Sequence, residues 1–222
     1  MDNNQVTTGD LCLQFFGKIN ASISHEIKNS LAIINENAGL LEDLSLMASK
    51  GKALEPERIA SLAENILKQI RRADDIIKRM NQFAHSTDEP LKQINIIQVL
   101  ELVISLTDRF AAMRSITVQL ESDIKPVNIH TSPFPLMNLI WICLDFAMDK
   151  TGEKKSIRIT ATKTENGAEI IFKGLDNLTD QNRENNNPPD IDQKTFKPLS
   201  EELNAKFSIF AQKGEAVIIL TK

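Results

Sequence analysis

The chain is poor in residues that mark several large classes of protein. Its 222 residues include no tyrosine, a single tryptophan (Trp141) and two cysteines, Cys12 and Cys143. So few aromatic rings argue against a base-stacking platform for single-stranded nucleic acid. Two cysteines so far apart offer neither a metal-ligand spacing nor a disulfide framework, so we expect both to be packing residues in a reducing cytoplasm.

Charge and hydropathy argue against two further kinds of partner, nucleic acids and membranes. The chain has 26 basic and 30 acidic residues, so it lacks the basic surplus of a dedicated nucleic-acid binder. Its longest nearly apolar run, residues 136–144, is shorter than the roughly 20 residues of a membrane helix. Residues 1–5 are polar and unlike a signal peptide. We therefore expect no nucleic-acid partner, no membrane span and a cytoplasmic location.

Two long stretches in the first part of the chain carry apolar residues at helical spacing. The steps are threes and fours, so each stretch carries one apolar stripe as a helix. Gly51 suits the end of the first helix and Pro56 the start of the second, which predicts an antiparallel hairpin over residues 10–88. The stripes comprise Phe16, Ile19, Ile23, Ile27, Leu31, Ile34, Ala38, Leu41 and Leu44, then Ile59, Leu62, Ile66, Ile70, Ala73, Ile77, Met80 and Ala84.

Two helices of roughly 30 residues cannot bury both stripes and the further apolar side chains beside them. A dimer, in which two hairpins make a four-helix bundle, would bury them. The alternative is a hairpin that packs on its own C-terminal domain.

After a turn at residues 86–90, helical and β-branched patterns alternate. They predict an α/β sandwich over residues 91–222, with helices grouped against a mostly antiparallel sheet. The predicted helices cover residues 97–113, 133–150 and 198–205, the strands residues 115–120, 156–162, 168–173, 207–211 and 216–220, and a loop residues 179–194.

Residues 24–29, Ser-His-Glu-Ile-Lys-Asn, place three reactive groups within little more than one helical turn. The helical repeat points His25 away from the stripe and into solvent, where a neutral imidazole is a usable nucleophile. Glu26 is placed to accept its proton or fix its tautomer. Asn29, one turn on, is placed to hold a water or a phosphoryl oxygen. The spacing is not that of a zinc site, because the fifth position is Asn29 rather than a second histidine, and we expect no metal site.

The run from Phe16 to Leu44 resembles the phosphoacceptor helix of bacterial sensor histidine kinases. Residues 69–84 resemble that family's second dimerisation helix, and residues 90–106 the start of its ATPase domain. The resemblance implies an α+β fold in which a dimeric helical bundle is joined to a Bergerat-type, GHKL-like α/β sandwich. It also implies that His25 carries phosphate on nitrogen, that Glu26 acts as a base, and that Asn29 orients water for dephosphorylation.

The nucleotide-binding part of this resemblance is degenerate. The asparagines of the family's N-box helix correspond to Ile142 and Phe146, whose side chains cannot coordinate magnesium. The adenine box keeps one nucleotide-binding candidate, the carboxylate of Asp176, but not its glycines. No glycine lies between Gly174 and Gly214, so no glycine-rich loop is present to bring backbone amides close to phosphates. We expect the chain to bind neither ATP nor Mg²⁺.

Together these features predict a protein of two-component or phosphorelay signalling. The leading hypothesis is phosphoryl transfer through His25 to or from an aspartate of a response-regulator receiver domain, as in dimeric histidine phosphotransferases, with Mg²⁺ supplied by the receiver. Docking is expected beside His25, on Ser22, Asn29 and Leu31. The alternatives are a histidine kinase with a divergent ATP site, a pseudokinase scaffold or phosphatase for a response regulator, and an interaction protein in which His25 is incidental. Enzymatic autokinase activity stays an open question at this point.

Overall fold

The computed structural model describes residues 7–121, 126–178 and 193–221. They form an α+β structure, as predicted, with two long helices followed by helices and a sheet. The helices are α1 (Thr8–Ser49), α2 (Pro56–Ala84), α3 (Ile96–Met113), α4 (Pro133–Lys150) and α5 (Gln193–Glu202). The strands are β1 (Lys92–Asn95), β2 (Thr117–Leu120), β3 (Asn128–Thr131), β4 (Ser156–Thr164), β5 (Gly167–Lys173), β6 (Ala205–Phe210) and β7 (Glu215–Thr221).

The chain divides into two compact units. One consists of residues 20–82, which include most of α1 and α2, and will be called the hairpin unit. The other combines residues 1–19 with residues 83–222 and will be called the sandwich unit. The predicted ranges, 10–88 and 91–222, divide the chain at one place. The compact units are interleaved instead, because the start of α1 packs with the end of α2 inside the sandwich unit.

Local hydrogen bonds cap both ends of α1. The N–H of Asp10 donates to the Thr7 hydroxyl over 3.2 Å, and the N–H of Thr7 donates to the Asp10 carboxylate over 3.0 Å, a reciprocal cap of the helix start. At the other end Gly51 has φ 81°, and its N–H donates to the Ala48 carbonyl over 2.9 Å. The predicted stop at Gly51 is confirmed, because a left-handed glycine ends the helix. The helix has 42 residues and is longer than predicted.

Within the hairpin unit, α1 and α2 bury a narrower seam than the predicted stripes. Ile23 and Ile76 are 4% exposed, but four large members of those stripes remain on the surface: Leu31 is 54%, Ile70 48%, Ile77 44% and Met80 37% exposed. Each helix has one partner in the hairpin, so part of a wide apolar stripe is left uncovered. The α1 side of the seam includes polar residues that the stripe omitted, namely Ser22, Ser30 and Asn37.

The sandwich unit is built on a five-stranded sheet of order β2-β4-β5-β7-β6. β2 runs parallel to β4, and the other neighbours are antiparallel. Side chains directly opposite each other across the pairs lie on the same face. One such row consists of Ala161, Ile170, Ile218 and Phe207, all of which are buried. This row belongs to the core face of the sheet.

Helices α4 and α5 cover this face. The Phe207 ring lies 5.6 Å from the Phe146 ring of α4 and 5.9 Å from the Phe196 ring of α5, measured between centroids. Of the 18 residues of α4, 13 are buried, including Asn138 on the side that faces the start of α1. A helix buried on most of its surface needs packing on more than one side. For α4, the sheet and the start of α1 supply that packing.

Most of the predicted secondary structure of the sandwich unit is confirmed, with two corrections. A separate two-stranded sheet, β1 with β3, is missing from the prediction because four-residue strands have too little alternation to recognise. The loop predicted over residues 179–194 ends earlier, since α5 begins at Gln193 and contains Pro198. Residues 179–192 lie outside the described part of the chain.

Four phenylalanine rings join the start of α1 and the end of α2 to α4. Phe83 is fully buried, and its ring centroid lies 5.5 Å from Phe15, 5.6 Å from Phe16 and 5.2 Å from Phe134. Aromatic pairs at such distances add to the free energy of burial. This cluster is the reason that residues 7–19 belong to the sandwich unit.

Replacing Phe83 by alanine should lower the free energy of unfolding by about 3–5 kcal/mol, because it removes a buried ring and leaves a cavity among three others. Urea denaturation followed by circular dichroism measures the change. Phe210→Ala is the matched control: its ring is 45% exposed, so the cost should stay below about 1 kcal/mol. Equal losses in the two variants would contradict this account of the cluster.

Candidate functional site

His25 is exposed on α1, in the hairpin unit, as the helical repeat predicts. Ile23 and Ile27 lie on the opposite face of the helix; Ile23 is buried and Ile27 half-buried, so both point toward the hairpin interior. The imidazole is therefore accessible from solvent in this chain. Its role as phosphate carrier stays a prediction.

Asn29 is also exposed and lies one turn further along the side that carries His25. Residues four apart on a helix are neighbours, so the Asn29 amide and the imidazole border the same patch of surface. Ser22, which was expected to take part in docking, is 2% exposed. That expectation is wrong, because Ser22 faces the hairpin seam. Leu31, the third docking candidate, is exposed.

Glu26 points to a different side of α1 from His25. Its side chain is 20% exposed, and its Oε2 lies 3.8 Å from Nη2 of Arg72 on α2. Successive helical residues are about 100° apart around the axis, which turns Glu26 toward the edge of the hairpin. Arg72 is absent from the sequence prediction. The register of the antiparallel hairpin, which sets Arg72 opposite Glu26, could have predicted this contact.

The two cysteines are poor competitors for His25 as nucleophiles. Burial raises the pKa of the Cys143 thiol well above its ordinary value. Burial also raises the pKa of the Cys12 thiol, against a smaller opposing effect of the Asn138 amide. Because the thiolate is the nucleophile, a raised pKa reduces reactivity. Burial of Cys143 agrees with the predicted packing role.

In the sandwich unit, Ile142 and Phe146 both line a cavity of about 290 Å³. In the resemblance drawn from the sequence, these positions stand where asparagines would hold magnesium, and they present an alkyl chain and a ring. The volume lies near the lower end for ligand pockets. The remaining lining residues are Leu11, Gln14, Phe15 and Lys18 of α1, Asn138, Trp141, Asp145 and Asp149 of α4, and Thr195 of α5.

The carboxylates in this lining are already engaged. Nη2 of Arg114 lies 2.8 Å from Oδ1 of Asp145, and Nη1 lies 3.3 Å from Oδ1 of Asp149. A cation at this face would compete with the Arg114 guanidinium for both. Within the described residues no group of three or more His, Cys, Asp or Glu side chains is arranged to hold a metal ion. The residues of this face do not fit a magnesium–nucleotide complex.

Asp176 follows β5 and does not line that cavity. Its neighbour Asn177 ties the turn to the end of α4: the Asn177 N–H donates to the Lys150 carbonyl over 3.1 Å, and its Nδ2 donates to the Thr151 carbonyl over 2.8 Å. A β-carbon at Gly152 would overlap the Asp176 carboxylate, so this close approach requires glycine. Nucleotide binding by Asp176 stays a prediction.

Comparison with known proteins gives one family match. Residues 17–89 match the model of the His Kinase A (phospho-acceptor) domain, a range that contains His25, Glu26 and Asn29. No curated protein matches the chain. Among the described helices, none is both long enough and apolar enough to cross a membrane.

Several solved structures are similar at low sequence identity. The nucleotide-free catalytic domain of histidine kinase ThkA shares 15% identity with a TM-score of 0.49, over 60% of this chain and 98% of that chain. Histidine kinase AdeS of Acinetobacter baumannii shares 10% identity with a TM-score of 0.44, over 89% and 97% of the two chains. ThkA in complex with the response regulator protein TrrA shares 16% identity with a TM-score of 0.48, over 94% and 61%.

The exposure of His25 is testable by chemical modification. Diethyl pyrocarbonate should acylate His25 at a rate comparable with His85, whose side chain is 75% exposed, and with the exposed His130. Peptide mass mapping of the full chain measures the three rates. His25→Gln should remove one adduct and leave the other two unchanged. Strong protection of His25 in the unmodified chain would show that its ring is covered.

Proposed function

We propose that this chain, whose residues 17–89 match the model of the His Kinase A (phospho-acceptor) domain, moves phosphoryl groups through His25. The partner is an aspartate of a response-regulator receiver domain, and no ATP is bound. The observation that carries the proposal is the exposed imidazole of His25, inside the range that matches the phospho-acceptor domain model and one helical turn from the exposed Asn29. The cytoplasmic location expected from the sequence stays a prediction.

The chemistry needs few groups from this chain. The unprotonated ring nitrogen of His25 attacks the phosphorus of the receiver's aspartyl phosphate. An N–P bond forms as the O–P bond breaks, and the aspartate leaves as a carboxylate. The proton on the other ring nitrogen passes to Glu26 or to water, and the reverse reaction returns the phosphoryl group to an aspartate. Mg²⁺ held by the receiver neutralises charge on the phosphoryl oxygens.

The sandwich unit supports a reaction without ATP. Ile142 and Phe146 offer no oxygen to a hard cation, Arg114 engages Asp145 and Asp149, and the cavity at this face is small. A triphosphate is itself anionic, so a lining that includes two carboxylates and one lysine, Lys18, is a poor complement to it. These observations weigh against a kinase that makes its own phosphohistidine.

A phosphatase for the receiver is the second candidate, and Asn29 favours it. Its amide is exposed on the His25 side of α1, where it can hold a water by hydrogen bonding. A pure relay does not need that amide. The relay and the phosphatase use the same docking surface, and they differ in whether phosphorus becomes bound to the protein.

The decisive experiment follows labelled phosphate. A panel of purified receiver domains, phosphorylated with labelled acetyl phosphate, is mixed with the full chain. We expect acid-labile label on the wild type, none on His25→Gln, and full labelling of the matched control His85→Gln, another exposed histidine. Labelled ATP alone should give no phosphohistidine.

Each other outcome selects an alternative. Acid-labile label from ATP that depends on His25 would restore the kinase. Rapid loss of receiver phosphate without labelling of the protein, abolished by Asn29→Ala, would identify the phosphatase. If His25→Gln behaves as wild type in every arm, His25 is incidental.

A homodimer is part of the proposal, and the uncovered apolar faces of the hairpin unit support it. On α2, Leu67, Ile70 and Ile77 are 53%, 48% and 44% exposed at spacings of three and seven residues. On α1, Leu31 and Leu40 are 54% and 39% exposed. Contiguous exposed apolar surface marks an interaction site, and a second hairpin would complete a four-helix bundle.

Light scattering of the purified chain should give the mass of two chains. Ile70→Glu should shift it to one chain, because a carboxylate in an apolar interface is costly, while circular dichroism keeps the helix content of the hairpin. Lys68→Glu, which changes a polar position of the same helix, should remain dimeric. A monomeric wild type, or an Ile70→Glu variant that stays dimeric, would contradict this interface.

A further inference from the structure

The hairpin unit holds a line of polar side chains where an apolar seam is usual. Ser22, Glu26 and Ser30 are spaced by four residues on α1 and therefore share one face. Ser22 is 2% and Ser30 1% exposed, and Glu26, between them, is one-fifth exposed. The Glu26 carboxylate thus stands at the rim of the seam, with a buried hydroxyl one turn before it and another one turn after it.

These hydroxyls do not fix the carboxylate. Neither Ser22 Oγ nor Ser30 Oγ has a hydrogen-bond partner within the described residues, and the same holds for Oε1 of Gln69 on α2. The contact recorded for the Glu26 carboxylate in the described part of the chain is Arg72, with 3.8 Å between Nη2 and Oε2. The orientation of Glu26 therefore depends on a group from the other helix.

The Arg72–Glu26 pair is poorly placed to serve stability. The Arg72 side chain is 57% exposed, and ion pairs in contact with water contribute little to folding. The separation of 3.8 Å is that of an ion pair rather than a hydrogen bond, so Arg72 acts by attracting the Glu26 carboxylate toward α2. Loss of the pair would release the Glu26 side chain and leave the fold intact.

We propose that Arg72 is a positioning residue for phosphoryl transfer at His25. It draws the Glu26 carboxylate to the rim of the hairpin, one residue along α1 from His25, as the acceptor of the ring proton when the N–P bond forms. The inference rests on the proposed function, because it gives Glu26 its role through His25. It adds a residue of α2 to the three residues of α1 that the sequence identifies.

The test uses the full chain and phosphoramidate, a small donor of phosphoryl groups to imidazole, so that no receiver is needed. The rate constant of His25 phosphorylation at saturating donor should fall about tenfold in Arg72→Gln, because an unrestrained base is less effective than a positioned one. The half-saturating donor concentration should change less than about twofold, since Arg72 acts on the chemical step.

Arg72→Lys should recover part of the rate. The matched control is Arg71→Gln, the adjacent exposed arginine, which should behave as wild type.

A double-mutant cycle shows whether Arg72 acts through Glu26. In a Glu26→Gln background, Arg72→Gln should cause no further loss of rate, and the midpoint of urea unfolding should be unchanged in all variants. A tenfold loss in that background would show that Arg72 contacts the phosphoryl group or donor directly and would overturn the inference. So would a wild-type rate in Arg72→Gln. If His25→Gln still accepts phosphate, the proposed function itself fails, a result that differs from either of these.

Discussion

The direction in which α1 turns its faces decides which of its side chains solvent can reach. The seam between α1 and α2 takes Ile23 and Ile76 into its interior, and that packing sets the rotation of the whole helix about its axis. Once it is set, the 3.6-residue repeat decides the rest: His25 faces solvent, Asn29 follows it on the same side, and Glu26 turns to the rim. A different seam on α1 would bury the imidazole and remove the nucleophile from reach of a partner.

The seam between α1 and α2 also contains more polar residues than is usual between two packed helices. Serines and an asparagine occupy positions where leucine or isoleucine would contribute more apolar burial, and two of the serine hydroxyls are unpartnered within the described residues. Each unpaired buried hydroxyl costs on the order of 1–3 kcal/mol. The hairpin therefore gives up stability near His25, while apolar side chains such as Leu31 and Ile70 remain exposed on both helices.

The sandwich unit depends on the packing of helix α4. Most of this helix is buried, because the sheet and the aromatic cluster around Phe83 both pack against it. The Phe146 ring packs edge-on against Phe207 in the core, and both Phe146 and Ile142 also line the cavity of this unit.

The sequence alone determined the helices, their turn, most of the strands and the exposure of His25, because each follows from a local period of 3.6 or 2 residues or from a glycine or proline at a helix end. It did not determine which part of each apolar stripe is buried, since that depends on how many neighbours a helix has. Nor did it give the Arg72–Glu26 pair, the burial of Ser22, or the β1–β3 sheet. Those features join residues far apart in the chain, and only the packing of one element against another decides them.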